Sequence, residues 1–216
     1  MTPPDYEYLR KILKDHSGLD LSADKQYLIE SRLLPLSRKC GVAGIAELVL
    51  KMKGGSSTII AQVVEAMTTN ETFFFRDKVP FEHFRDTIMP EMLKARANRK
   101  SIRIWCAAGS TGQEPYSLAM SLKEMGSALA GWRTEIIATD LSQEVLEKSK
   151  SGIYSQFEVQ RGLPIQLLVK YFKQNGELWQ ISPELRGMVQ HRQLNLLHDF
   201  SVLGNFDIIF CRNVLI

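Results

Sequence analysis

Asp140 closes the run Thr134-Glu-Ile-Ile-Ala-Thr139, and the glycine turn Ala107-Ala-Gly-Ser-Thr-Gly112 closes the alternating run Ser101-Ile-Arg-Ile-Trp-Cys-Ala107. Strand, glycine turn, helix, strand and terminal acid form a recipe for an adenosine-containing ligand. Glycines let the ligand approach the backbone, and an acid at the end of the second strand accepts hydrogen bonds from ribose hydroxyls. The turn spells G-x-x-G and not G-x-G-x-x-G, which weakens a dinucleotide reading. Glu114 stands at the start of the following helix, where it repels a phosphate and attracts an amino group or positive charge. S-adenosylmethionine carries both and has no phosphate. The alternative for the turn alone is an ordinary tight βα connection, and for Asp140 the start of a turn into the next helix.

Other chemistries find less support. The cysteines are Cys40, Cys106 and Cys211, an odd number without C-x-x-C spacing, and the histidines (His16, His83, His191, His198) are scattered. Neither set suggests a metal site, so no metal is expected, and the cysteine usage fits a reducing, cytoplasmic setting. No acid–base pair or nucleophilic triad stands out.

The elements that position these residues fall into two regions. Residues 1–67 read as helices only: Leu9, Ile12 and Leu13 recur at helical spacing before Ser17-Gly18, Ser22 is a candidate N-cap for a second helix, and Pro35 is a candidate kink or break within it. Two shorter helices follow, Gly44 to Lys53 and Ser57 to Met67. Residues 68–100 read as a linker containing a helix from Lys78 to Ala97. From residue 101 strands alternate with helices, which indicates α/β architecture with a doubly wound, mostly parallel sheet. Pro115 suits the first turn of a helix running to about Leu129. Phe206-Asp-Ile-Ile-Phe-Cys211 reads as a third strand buried on both faces. Gly176 to Leu194 reads as a small antiparallel β insert around the turn Pro183-Glu-Leu-Arg-Gly187.

Composition agrees with a folded chain: 216 residues, 44% hydrophobic, with a net charge of +3 that permits an acidic partner without demanding nucleic acid. No apolar run approaches the ~20 residues of a membrane span, so membrane insertion is not expected. The first residues lack the apolar stretch of a secretory signal.

Five ordered strings resemble one family. Thr69-Asn-Glu-Thr-Phe-Phe-Phe-Arg76 is similar to the T-N-x-T-x-F-F-R segment of CheR-type protein-glutamate O-methyltransferases. Ala108-Gly-Ser-Thr-Gly-Gln-Glu-Pro-Tyr-Ser117 resembles that family's S-T-G-E-E-P-Y-S turn, with Gln113 where Glu is usual and Gly109 where Cys or Ser is usual. Thr139-Asp-Leu141, Asn195-Leu-Leu197 and Cys211-Arg-Asn-Val-Leu-Ile216 complete the order.

The resemblance implies a Rossmann-like methyltransferase domain (101–216) behind a helical receptor-docking domain (1–67). It implies S-adenosyl-L-methionine as cofactor, S-adenosyl-L-homocysteine as product, and glutamate methyl esters on methyl-accepting chemotaxis receptors. Asn70, Thr72 and Arg76 would line the methionine end of the cofactor, with Glu114 near its amino group and Asp140 on the ribose. Asn195 and Leu196 would frame the adenine, and Arg212 and Asn213 would close the pocket. Arg76 is the candidate for orienting the substrate carboxylate. Each has a plainer competitor: Asn70 and Thr72 as helix caps, Phe73, Phe74 and Phe75 as core, Arg212 as a solvated strand end.

For receptor docking the expected residues are Arg32, Arg38 and Lys39, three cations with no acid between Ser31 and Gly41. A second basic run, Lys94 to Arg103, reads as solvated surface. The short insert resembles members that do not use a tether to the receptor's C-terminal peptide. The resemblance also implies further strands and helices after Ile216, beginning with a Tyr-Phe pair near the transferred methyl. On that expectation the 216-residue chain binds cofactor but lacks part of the active site, and its last strand is a bare apolar edge. A non-catalytic S-adenosylmethionine-binding or receptor-docking module is the competing reading. A nucleic-acid methyltransferase fits less well, because Arg212-Asn-Val-Leu stands where an Asn/Asp-Pro-Pro-aromatic string is usual.

Overall fold

The computed structural model describes residues 1–214; Leu215 and Ile216, the end of the last motif, lie outside the described residues. Contacts divide the chain into two compact units, Met1–Thr69 with Asn195–His198, and Asn70–Leu194 with Asp199–Ile216.

The first unit is built from four helices, α1 (Pro3–Ser17), α2 (Gln26–Lys39), α3 (Ile45–Lys53) and α4 (Ser57–Met67). Helix α1 starts where the Thr2 side chain accepts from the Asp5 amide and stops at Gly18 with φ 76°, a left-handed residue that lets the Gly18 amide reach back to the Lys14 carbonyl. Leu9, Leu13, Ile29, Leu33, Leu48 and Met67 are buried at the helix contacts. Ser22 does not cap α2. It precedes a 3-10 turn, Ala23–Lys25, and its hydroxyl pairs with Asp24, so α2 begins four residues later at Gln26. Nor does Pro35 break the helix, which continues to Lys39. Pro35 itself is exposed while Leu33 and Ser37 on the opposite face are buried, so packing holds the turns on either side of the missing N–H.

The second unit opens with a linker helix in three contiguous parts, α5 (Val79–His83), a wide π turn (Phe84–Ile88) and α6 (Met89–Ala95). Its α/β body then runs β1 (Ser101–Ala107), α7 (Gln113–Glu124), β2 (Arg133–Asp140), α8 (Gln143–Ser151), β3 (Ile153–Ser155), α9 (Gln156–Gln160) and α10 (Ile165–Tyr171). After these come β4 (Phe172–Asn175), β5 (Leu178–Ile181), α11 (Pro183–Gly187), β6 (Val189–Gln193) and β7 (Ile208–Cys211). Helix α7 is shorter than expected, and Gly126–Leu129 form a separate 3-10 turn.

The main sheet has the order β6-β2-β1-β7, with every pairing parallel. Its centre is apolar because parallel strands are covered on both faces: Ile104, Cys106, Ile136 and Ala138 are buried. Strand β7 differs from the doubly buried run expected of it. Ile208 and Phe210 face the core, whereas Ile209 is 56% exposed. Phe206 precedes the strand and packs instead on the Trp105 ring at 5.6 Å.

The antiparallel insert also has different members. Strand β5 pairs with β4 and with β3, so the small sheet, order β3-β5-β4, is drawn from residues 153–181. The later stretch, Val189–Gln193, pairs parallel with β2 and belongs to the main sheet. Its polar residues are those of a strand buried at Val189 and exposed at Gln190, Arg192 and Gln193. In sequence that pattern cannot be told from a hairpin arm.

The basic run before β1 is not uniformly solvated. The buried Asp207 carboxylate accepts from Arg96 Nε at 2.7 Å and from the Arg103 amide at 2.9 Å. Arg103 reaches Glu135 at 2.5 Å and lies 4.6 Å over the Phe206 ring. These contacts fix the chain leading into β7.

Candidate functional site

Three features in the second unit bring the expected residues together: the motif loop 70–78, the glycine turn after β1, and the end of β7. The loop has an unusual backbone. Phe75, Asp77 and Lys78 have φ of 51°, 68° and 48°, left-handed values that are uncommon and somewhat strained for such side chains. Something must hold the loop in that shape, and four kinds of contact do. Phe74 is fully buried, edge-on to Tyr154 at 5.1 Å and to Phe172 at 5.6 Å. The Phe75 amide donates to Ser117 Oγ on α7 at 3.0 Å. Ser110 Oγ in the glycine turn donates to the Asn70 carbonyl at 3.0 Å. Arg212, just past β7, donates to the Arg76 carbonyl at 2.7 Å and to Asp77 Oδ2 at 2.6 Å.

The glycine turn is equally constrained. Gly112 has φ 97°, and a Cβ there would lie 2.2 Å from Ser149 Oγ, so only glycine fits. Ala108 and Ser110 also take positive φ. Asp140 is 7% exposed, with Oδ2 accepting from the Ser110 amide at 2.9 Å and Oδ1 from the Ser142 amide at 3.0 Å. It therefore ties the turn to the start of α8, whose Ser142 side chain caps the Val145 amide. Asp140 thus starts the turn into the next helix, as the plainer reading had it.

Glu114 and Arg212 form the other half of the site. Their side chains are 13% and 16% exposed and meet at 2.9 Å. Burial raises the Glu114 carboxyl above the ordinary range, and the adjacent Arg212 partly offsets that rise. Arg212 is thus no solvated strand end: it bridges Glu114, Asp77 and the Arg76 carbonyl, over the Phe81 ring at 5.4 Å. Asn213 is exposed with φ 56°.

Arg76 is half-buried on its loop, and its charge also helps to lower the Glu114 carboxyl. Its Nη1 donates to the Glu71 carbonyl at 2.8 Å, and its guanidinium sits 5.7 Å from the Phe73 ring centre. Among the described residues no carboxylate comes within ion-pair distance of it. Thr72 is half-buried, and neither Asn70 nor Thr72 caps a helix, because residues 68–73 form no helix.

Asn195 and Leu196 belong to the first unit, where Asn195 Nδ2 donates to the His16 carbonyl at the end of α1 and Asn195 Oδ1 accepts from the Leu197 amide. In that unit Arg32 also has a structural task. Its guanidinium donates to the carbonyls of Met67 at 2.6 Å and Thr68 at 2.9 Å, and to Thr69 Oγ1 at 3.1 Å, closing the C-terminal end of α4. Arg38 and Lys39, in the last turn of α2, are exposed.

The sequence reading passed over Arg161 and Gly162. Gly162 has φ 81°, and a Cβ there would lie 2.1 Å from the Phe74 carbonyl oxygen. Arg161 stacks 4.3 Å from the Phe73 ring centre and pairs with Glu71 at 2.7 Å. An Arg-Gly pair before Leu-Pro was the available signal, although nothing in it points to a loop ninety residues away.

The donor set suits the cofactor expected from the sequence. Acids at the end of β2 and the start of α7 offer acceptors to hydroxyls and to an ammonium, and the turn 107–112 carries no cation that would call for phosphate. Among the described residues no group of three His, Cys, Asp or Glu side chains could hold a metal ion, and no helix is long and apolar enough to cross a membrane.

A parallel α/β sheet with a glycine turn and acids at the carboxyl ends of its strands defines the class of nucleoside-cofactor-binding proteins. Family comparison makes this specific: residues 70–216 match the model described as CheR methyltransferase, SAM binding domain, and residues 4–68 match CheR methyltransferase, all-alpha domain. Chemotaxis protein methyltransferase 1 of Pseudomonas aeruginosa is 42% identical over 98% of this chain and 78% of its own length. The protein of that name from Vibrio cholerae is 39% identical over 100% and 80%, and the chemotaxis protein methyltransferase of Escherichia coli is 33% identical over 98% and 73%. The chain belongs to the CheR methyltransferase family and is an S-adenosylmethionine-dependent methyltransferase.

Proposed function

We propose that this enzyme methylates glutamate side chains of chemotaxis receptors in the cytoplasm, forming methyl esters. The observation that carries the reading is Arg76, a cation on the strapped motif loop with no carboxylate partner among the described residues. An arginine fork matches a carboxylate in shape and charge.

S-adenosylmethionine supplies an electrophilic methyl on a sulfonium. One carboxylate oxygen forms the new bond to the methyl carbon while the carbon–sulfur bond breaks, its electron pair remaining on sulfur. The products are a neutral ester and the neutral thioether S-adenosylhomocysteine, and no proton is gained or lost. A glutamate has a reference pKa near ~4.3, so the nucleophile is already ionised at neutral pH and no general base is needed.

The residues therefore work by placement. Asp140 would take the ribose hydroxyls, Glu114 the ammonium, and Asn70 and Thr72 the methionine end, with Arg212 and Asn213 closing the site. Arg76 orients the substrate carboxylate in line with the methyl and sulfur, where alignment at roughly 3 Å can contribute on the order of 7–11 kcal/mol. A water-poor site strips the carboxylate and favours a reaction in which opposite charges cancel. Arg76 positions the carboxylate without binding it too tightly, since stabilising the ground state would slow transfer.

Residues 1–67 form the docking domain in this reading. Exposed Arg38 and Lys39 are supported as contacts for an acidic receptor surface, whereas Arg32 serves mainly to close α4. Recognition without a tether to the receptor's C-terminal peptide is part of this reading.

The test is transfer of labelled methyl from S-adenosylmethionine to a purified receptor cytoplasmic fragment. Label released by mild base as methanol identifies an ester on a carboxylate. Base-stable label, or none on the receptor, overturns the reading.

A further inference from the structure

The Phe73 ring carries two guanidiniums, Arg76 at 5.7 Å and Arg161 at 4.3 Å from its centre. This double occupation is built in. Gly162 packs so closely on the motif loop that any side chain would strike the Phe74 carbonyl, which brings Arg161 onto Phe73. Two cations on one ring repel each other unless an anion lies with them, and Glu71 supplies it: its carboxylate pairs with Arg161 while its carbonyl accepts from Arg76. Arg161 holds the Glu71 carboxyl below the ordinary glutamate range. The pair is 40% and 60% exposed, however, so solvent screens it and it exchanges partners at small cost.

We propose that Arg161 is a specificity-determining residue that binds a second carboxylate on the substrate, next to the glutamate held by Arg76, and that Glu71 fills this position when substrate is absent. The proposal rests on the glutamate-methylating reading. Two guanidiniums at one ring, both bonded to Glu71, match two carboxylates side by side, the arrangement that a helix presents when two acids stand one turn apart, about 5–6 Å between Cβ atoms. The enzyme then selects acidic pairs over isolated glutamates. Arriving substrate displaces Glu71 from Arg161, and Arg76 remains anchored through the Glu71 backbone.

The experiment compares two helical peptides, one with two glutamates a turn apart and one in which the neighbour of the methylated glutamate is glutamine. The unsubstituted enzyme should show a KM about tenfold lower for the two-acid peptide, the size of one charge-assisted contact. Arg161→Ala should abolish that preference without changing kcat or cofactor affinity, and Arg161→Lys should restore part of it. Glu71→Gln, which removes the competing anion, should lower KM for the two-acid peptide. The preference persisting in Arg161→Ala would overturn the proposal. So would losses in kcat, cofactor affinity and melting temperature that track one another, because they mark Arg161 as a structural clasp only. If neither peptide is methylated, the glutamate reading fails on its own. Binding of the two-acid peptide in the presence of S-adenosylhomocysteine then decides the matter: dependence on Arg161 supports the second-carboxylate site, and indifference to it overturns that site.

Discussion

Arg212 and Glu114, ninety-eight positions apart, meet at 2.9 Å and are both mostly buried, and Arg212 also holds the Arg76 carbonyl and Asp77. One side chain from the end of β7 therefore joins the acid expected to meet the cofactor ammonium to the loop expected to meet the substrate. Such a link gives the site a pH dependence of its own.

Because burial raises Glu114, cofactor affinity should fall with decreasing pH earlier than an ordinary glutamate at ~4.3 would produce. The sign follows from the charged form: only carboxylate attracts an ammonium, and protonation from the alkaline side of the usual range removes it. Calorimetry with S-adenosylmethionine across pH should show this. Glu114→Gln should bind weakly with a flat profile, and Arg212→Met, which removes the compensating cation, should move the fall to higher pH.

Asp140→Ala should weaken cofactor binding by about 1–3 kcal/mol, the scale of hydrogen bonds to a charged group. It should also lower the melting temperature, because the Ser110 and Ser142 amides lose their shared acceptor. Asp140→Asn keeps an acceptor oxygen and should recover part of both. Unchanged cofactor affinity in folded Asp140→Ala would remove this residue from the site.

Arg76→Ala should cut kcat far more than it weakens cofactor binding, and Arg76→Lys should rescue only partly, because an ammonium keeps the charge and loses the planar fork. Single-turnover methylation and melting temperature, measured on the same samples, check this. A stable, cofactor-binding Arg76→Ala enzyme with normal turnover would defeat the assignment.

The docking cations should separate by role. Charge reversal at Arg38 and Lys39 should raise KM for receptor and reduce its sensitivity to salt while leaving cofactor affinity unchanged. Arg32→Ala should act first on stability, by about 1–3 kcal/mol, through the lost contacts at the end of α4. Denaturation and initial-rate measurements on both variants test the division.

His191 predicts the acid limit of the fold. Its ring is largely buried beside Ser149 Oγ at 2.6 Å, and burial lowers its pKa from 6.5 to about 4. Between those values the unfolded chain binds a proton that the folded chain does not. The stability contribution is therefore complete above about pH 6.5 and lost as pH falls toward 4. Melting curves should decline across that window, and His191→Gln should flatten the decline.

Much of the α/β body was legible because local rules and burial agree. The alternation of Ser101–Ala107, the apolar centre of β2 and the glycine at 112 each have a reason within a few residues, and the ordered strings from Thr69 to Arg212 marked the family. Pairing was less legible. Val189–Gln193 has the polarity of a hairpin arm, and only its parallel register with β2 places it in the main sheet. Of the kink or break expected at Pro35, the break does not occur, and Ser22 does not cap α2, because neighbouring packing overrides a local preference.

The sequence by itself determined the family, because five ordered strings survive in one dimension whatever their exact geometry, and the cofactor class is what that family implies. Tertiary structure decided the tasks of the arginines. A guanidinium has five donors and a long flexible stem, so its role depends on which carbonyls, carboxylates and rings the fold brings within reach. Thus Arg32 closes a helix and Arg103 clamps a loop. Arg212 braces the site and Arg161 lies on Phe73, although all four look alike in one dimension.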